Sequence, residues 1–301
     1  MAGIYTAVNL AQLAAPAVIE TLDYETIFEA MLADLRARDA SFDALVESDP
    51  AYKILEVAAY RELLIRQRVN DAGRAVMLAY AVGTDLDQIA ANFNVARLLI
   101  TPADDEAIPP TPAVYESDDE LRRRVVLSLE GYTTAGSVGA YQFHALSASG
   151  DVLDVAVESP PSIPGTVKLA ILSRTGSGAA PAETISDVDA ALNAEVVRPL
   201  CDTVNVASAG IVNYSVTAVL TVFPGTGSDQ VLAAAQDGLD AYTESMHRLG
   251  LDVTRSGLFR ALHVEGVQNV ALSAPAADVV VAWNQATHCT GTTLTVGGFG
   301  E

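Results

Sequence analysis

The sequence predicts an α+β protein: an N-terminal helical region followed by two related α/β sandwich modules with mixed or antiparallel sheets. Three observations carry this reading. Between Val212 and Val222 apolar and polar residues alternate with period two, as in a strand with one buried face, and from Val231 to Met246 apolar residues recur every three to four positions. Val152–Val157 followed by Pro160 repeats the phrase Val267–Leu272 followed by Pro275, and each comes after a helix ending in Ala-Leu and a Gly, which suggests a duplication. Upstream of both, a helical period runs from Tyr52 to Tyr80, the longest candidate helix in the chain.

Taken in order, residues 1–20 are Ala-rich, broken by Pro16, and read as an arm of the kind that docks on a neighbour. Ile27, Met31, Leu32 and Leu35 give a short amphipathic helix between Asp23 and Arg38, closed off by Asp49-Pro50. The long helix that follows would reach about 40 Å at the usual rise. Ala58, Ile65, Val69, Ala72, Val76 and Ala79 line one stripe of it, while Lys53, Arg61, Arg66 and Arg74 alternate with Glu56, Glu62 and Asp71 as a solvated face. Leu55, Leu63, Leu64, Met77 and Leu78 widen the apolar surface, which suits a helix gripped on two sides, one of them another chain. Ala58, Ile65, Val69, Ala72 and Val76 are therefore the candidate partner-binding residues.

Gly83 stops that helix, and Thr84 with Asp87 has the spacing of a capping box for a short helix to Phe93. Thr101–Pro112 is rich in Pro and acid and reads as a linker. Its Asp104-Asp105-Glu106 triplet lacks the Gly-bearing spacing of a calcium loop, so a solvated linker is the better reading. Ser117 and Glu120 form a capping box for a helix carrying Arg122-Arg123-Arg124, which should pair with the acids beside them. A helix through Tyr141, Phe143 and Leu146 leads to the strands Val152–Val157 and Val167–Leu172. Ile185–Val196 gives another helix, and Val204 and Val206 another strand.

In the second module Pro224-Gly225 breaks the strand, Ser228 is placed to cap the next helix and Thr254 to cap the one after it. Val279–Trp283 and Thr292–Val296 read as two strands split by a turn at Thr290-Gly291, and the Gly-rich end reads as frayed. The boundaries expected on this basis are 1–50 for the arm and short helix and 51–115 for the long-helix region and linker. The first module takes 116–210 and the second 211–301.

Composition narrows the function. The net charge of −21 comes from 17 basic against 38 acidic residues, and no basic lobe hides within it: residues 1–130 carry 11 and 22, residues 131–301 carry 6 and 16. Phosphate backbones and anionic lipid would repel such a chain, so neither nucleic acid nor membrane is an expected partner. Cys201 and Cys289 lie far apart and signal neither a disulfide framework nor a zinc site. No apolar run is long enough to span a bilayer and no signal-peptide pattern opens the chain, so the cytosol, or a particle assembled there, is the expected location.

Tests for chemistry come out blank. Gly225-Thr226-Gly227 lacks the third Gly of a dinucleotide fingerprint and the Lys of a P-loop. His144, His247, His263 and His288 have no ligand spacing, and His288-Cys289 has no acidic companion to make a nucleophile. No GxSxG elbow occurs. No catalytic, cofactor-binding or metal residue, no cofactor and no small-molecule substrate is expected, although a carboxylate pair set only in three dimensions would escape this reading.

The order and spacing of several phrases resemble a known family. They are Thr134-Ala135-Gly136 through Tyr141-Gln142-Phe143-His144-Ala145-Leu146, Pro164-Gly165-Thr166-Val167, Arg198-Pro199-Leu200, Pro224-Gly225, and Arg248-Leu249-Gly250 with Ala261-Leu262-His263. From about residue 50 onward the chain looks like the baseplate assembly protein J family of contractile-tailed bacteriophages and related tail-derived injection particles. The resemblance implies a structural protein of the baseplate wedge, not an enzyme. It would join neighbouring wedge proteins and copies of itself in a ring around the hub, and hold the baseplate closed until contraction is triggered. A tail-associated cell-wall hydrolase is the alternative. A receptor-binding adhesin fits less well, since repetitive β architecture is missing.

Overall fold

The computed structural model describes residues 10, 13–14, 16–133, 135–225 and 227–300, and the expected arm over 1–20 lies largely outside them. Among the described residues, eight α-helices and eight strands in mixed and antiparallel sheets give the α+β class expected. The chain divides into two compact units. One takes the described residues up to Arg97 together with Ser117–Arg122, the other Leu98–Glu116 and the described residues from Arg123 on.

In the first unit, α1 (Tyr24–Arg38) lies along α2 (Pro50–Ala75). Pro50 suits the first helical position, where its missing N–H costs no hydrogen bond. Ile27 and Phe28 of α1 are buried against Ala59 of α2, and the Phe28 and Tyr52 rings sit 4.8 Å apart. Asn70, almost fully buried, clamps the chain before α1: its Oδ1 accepts from the Glu20 N–H at 3.0 Å and its Nδ2 donates to the Glu20 carbonyl at 2.8 Å. Helix α2 ends at Ala75, five residues short of expectation, because the chain tightens into turns closed by Met77 N–H to Arg74 O and Tyr80 N–H to Met77 O.

Helix α3 (Gly83–Asn92) starts without the expected capping box. Asp87 is drawn instead to Arg97 at 2.7 Å, a charge-assisted bond that outcompetes a neutral cap, and the Gly83 N–H is taken by Asp118 at 3.0 Å. The Ser117–Glu120 capping box does form, with the Glu120 carboxylate accepting from the Ser117 N–H at 2.9 Å.

In the second unit the Pro-rich stretch is a small hairpin, β1 (Leu99–Thr101) with β2 (Val114–Tyr115), reinforced where Asp104 and Thr111 exchange backbone bonds. Helices α4 (Asp118–Gly131) and α5 (Val138–Ala148) precede a sheet of order β3 (Val152–Glu158), β4 (Thr166–Ser173), β5 (Thr203–Ser208). The first pair is antiparallel and the second parallel, bridged by α6 (Ala182–Leu192). Leu169, Ile171, Val188 and Leu192 are fully buried between this sheet and its helices. Burial also pushes His144 below its ordinary pKa of 6.5, the Gly131 carbonyl at 3.2 Å only partly offsetting it. Because the folded value lies below the unfolded one, stability is full above pH 6.5 and falls as the pH drops through the folded value. Tm is therefore expected to decline on acidification, and His144→Asn to flatten that part of the profile in a pH series of thermal melts.

The second module places β6 (Gly210–Val222) at the centre of the order β7-β6-β8, antiparallel to β7 (Val267–Ala274) and parallel to β8 (Gln285–Phe299). Helices α7 (Ser228–Met246) and α8 (Arg255–Leu262) cover one face, burying Val216, Leu220, Leu239, Leu258 and Leu262. They approach closely because Gly238 has no side chain: a Cβ there would lie 2.7 Å from the Ala261 carbonyl oxygen. Thr254 caps α8 as expected, but α7 begins after Gly227 with no side-chain cap from Ser228.

Three expectations at the C-terminal end are corrected. Thr290-Gly291 is not a turn between strands: Cys289 pairs with Tyr214 and Thr292 with Val216, so two residues of β8 oppose Ser215 in a bulge and the strand continues. Gly298 and Phe299 are also in register with β6, so the Gly-rich end belongs to the sheet, while Val279 only bridges Val253.

The two modules share a three-stranded sheet in which the central strand is antiparallel to one neighbour and parallel to the other. The repeated phrases occupy equivalent places, since β3 and β7 each follow a helix pair and flank the centre. The order of the remaining parts differs: the central β4 follows β3, whereas the central β6 precedes the helix pair. A small seam of Leu172, Ala209 and Ala286 joins the sheets, and Asp154 spans it by accepting from the Leu249 N–H at 3.0 Å.

Candidate interaction surface

Helix α2 has one packed face and one exposed face. Tyr52, Leu55, Ala59 and Leu63 turn toward α1 and enter its small core. At about 100° per residue, Ile54, Val57, Ala58, Ile65, Val69, Ala72 and Val76 fall on the other side. There Ile65 is 65% exposed, Val69 55% and Val76 75%; Ala72 is exposed and Ala58 half-buried. The five residues singled out from the sequence thus lie on one outward face, and Ile54 and Val57, both more than 60% exposed, lengthen it by a turn. Their helical spacing was available as a signal; they were missed because a stripe counted from Ala58 starts too late.

Charge frames this stripe unevenly. Lys53, Arg66 and Arg74 are paired along the helix with Glu56, Glu62 and Asp71, the solvated arrangement expected. Arg61 and Arg68, which the same helical period places within the stripe between Val57 and Ile54, form no ion pair among the described residues. An apolar band holding two guanidinium groups without an ion pair is unusual on a chain of net charge −21.

The Arg122-Arg123-Arg124 triplet belongs elsewhere. Arg122 pairs with Asp119 and donates to the Leu78 and Ala81 carbonyls, each at 2.8 Å. Arg123 meets Asp154 at 2.8 Å. Arg124 is buried with Glu116, whose two oxygens accept from Nη2 at 2.7 Å and Nε at 3.1 Å. Glu116 lies eight residues upstream of Arg124, beyond the neighbouring acids from which a partner was expected.

Groups considered for chemistry are dispersed. The His247 and His288 rings stand 5.8 Å apart, with His247 Nδ1 on the Thr287 carbonyl, and no set of three metal-ligating side chains occurs among the described residues. Cys289 lies within β8 and its thiol reaches the Gly291 carbonyl. A cavity of about 210 Å³ in the first module is lined by Gly136, Tyr141, Ser159 and Asp202. Burial, together with the bond it donates to Asp202 at 2.8 Å, pushes the Tyr141 hydroxyl above its ordinary pKa and keeps it a proton donor. Thr226, in the glycine loop tested for phosphate binding, is outside the described residues.

Three family descriptions match in succession: Baseplate J-like N-terminal domain over residues 47–104, Baseplate J-like central domain over 133–208, and Baseplate J-like protein C-terminal domain over 214–296. Baseplate protein J of Escherichia phage P2 is 49% identical over 301 residues, covering 98% of this chain and 99% of that protein. Among solved structures, a chain of the anti-feeding prophage baseplate, a 6-fold symmetrised cryo-EM structure, aligns with a TM-score of 0.39 at 15% identity. That alignment covers 62% of this chain and 44% of the other.

Proposed function

This chain belongs to the baseplate J-like family, and from that premise we propose that it is a structural component of the baseplate wedge of a contractile tail. Near-complete coverage of the phage P2 protein at 49% identity supports the same structural place in the virion tail. The finer reading is that it joins neighbouring wedge proteins and copies of itself into a ring around the hub. In that position it takes part in assembly, in the host cytoplasm, and in the contraction trigger.

The observation that carries the joining role is the exposed stripe Ile54, Val57, Ile65 and Val69 on α2, continued by Val76 just past its C-terminal end. Large apolar side chains repeated on one helix face are costly to leave in water and are the usual mark of a helix awaiting a partner. Arg61 and Arg68 within it select a partner that carries carboxylates among its own apolar residues. Such a partner is another protein, since nucleic acid and anionic lipid would meet 38 carboxylates first.

Electron microscopy of particles made without this gene tests the assignment. Loose tube and sheath without baseplates, or heads without tails, are the expected products. Tails with normal baseplates that fail only to infect would overturn it and bring a cell-wall hydrolase forward, to be tried on purified peptidoglycan.

A further inference from the structure

Four sheet edges are presented by the two modules, and two of them are shielded. On β3 the Gln142 side chain donates to the Val155 carbonyl at 3.3 Å, and Asp154 and Glu158 put charge on the strand. On β7 the Arg255 guanidinium holds the Leu272 and Pro275 carbonyls. Strand β5 is open as well but offers six residues, against the 15 of β8. Short strands, charges and covering side chains are the usual means of stopping an edge from pairing with another chain.

Strand β8 has none of these protections over most of its 15 residues. Its first turn is covered from outside: the Gln285 carbonyl accepts from the Gly250 N–H at 2.9 Å and the Thr287 carbonyl lies 2.6 Å from His247 Nδ1. In a parallel ladder alternate residues turn both N–H and C=O outward, so these two contacts fix the phase. Carried through the bulge by the pairs Tyr214 with Cys289, Val216 with Thr292 and Leu220 with Val296, the outward groups are those of Cys289, Thr292, Leu294 and Val296. No backbone partner engages them among the described residues.

The charge distribution says what can lie there. None of residues 279–300 is Asp, Glu, Lys or Arg, in a chain of net charge −21. The open face of the sheet beside this edge is also neutral: Ser215, Val219, Asn269, Ala271, Thr293 and Thr295 are all exposed. Two such chains repel over most of their surfaces but can meet along β8 without setting carboxylate against carboxylate.

We propose that the outer edge of β8 pairs antiparallel with the same edge of a second copy of this chain. Two-fold pairing needs no other protein and joins two three-stranded sheets into one of six. The proposal rests on the copy-to-copy contacts of the ring described above and assigns the element that makes one of them.

Sedimentation velocity of the purified full chain over a concentration series tests it, with amide exchange at Thr292, Leu294 and Val296 as the local readout. The wild type should dimerise and protect those amides as dimer forms. Thr295→Lys and Thr295→Glu, both at an exposed position, should each weaken the dimer at least tenfold with an unchanged circular dichroism spectrum. Mixing the two variants should restore association, because opposite charges then face across the joint. A wild type that stays monomeric throughout overturns the proposal. A dimer indifferent to both variants, with unprotected β8 amides, also overturns it while leaving copy-to-copy contact in the ring intact.

Discussion

Replacing Glu116 with Ala is expected to destabilise the second unit by about 3–5 kcal/mol, the cost of leaving a buried guanidinium without its carboxylate. The side chains of Arg124 and Glu116 are 6% and 3% exposed, so water cannot take the missing partner's place. Glu116 also accepts from the Leu98 N–H at 2.9 Å, holding the base of the β1–β2 hairpin to the start of α4. Arg124→Met should cost a similar amount by the reverse route, stranding an anion. Removing both charges together in Glu116→Leu with Arg124→Met should be milder than either single change. What remains is chiefly the unpaired Leu98 N–H, about 1–3 kcal/mol. Urea denaturation of the three variants checks this ordering; a double variant as unstable as the sum of the singles would mean that packing, not charge, governs the site.

The second large effect is expected on assembly and not on folding. Ile65→Asp with Val69→Asp changes two exposed positions of α2, so the denaturation midpoint should move by less than about 0.5 kcal/mol equivalent. Supplied to a host carrying the gene deletion, the same variant should leave tails without baseplates, because burying two carboxylates in an apolar joint is prohibitive. A control at Arg66→Ala, on the flank that pairs with Glu62 at 2.7 Å, should assemble normally. Normal baseplates from the double Asp variant would remove α2 from the joining role.

How much could be read from the sequence depended on whether a residue's partner was local. Strand β6, helix α7 and the Thr254 cap were legible because each is encoded within a turn or a face of its own segment. The outward stripe of α2 was legible as spacing, but the side taken by α1 was set by Ile27 and Phe28, well upstream. Glu116 with Arg124 escaped because its ends meet across a junction between a strand and a helix. Thr290-Gly291 has the composition of a turn and the position of a bulge, and only the register against β6 distinguishes the two. The Thr84–Asp87 box failed for a related reason: Arg97, ten residues from Asp87, offered that carboxylate a stronger bond.

The place of β8 beside β6 also bears on how the chain is made. All pairings of the first sheet lie between Val152 and Ser208, so that sheet can close while later residues are still on the ribosome. In the second sheet Gly210 waits for Gln285 and Val222 for Phe299, so the central strand emerges long before its parallel neighbour exists. Until then the apolar faces of α7 and α8 rest on an unfinished two-stranded ribbon, a slow and adhesive intermediate. Synthesis from one end to the other thus delivers a finished first module next to a second one that closes last.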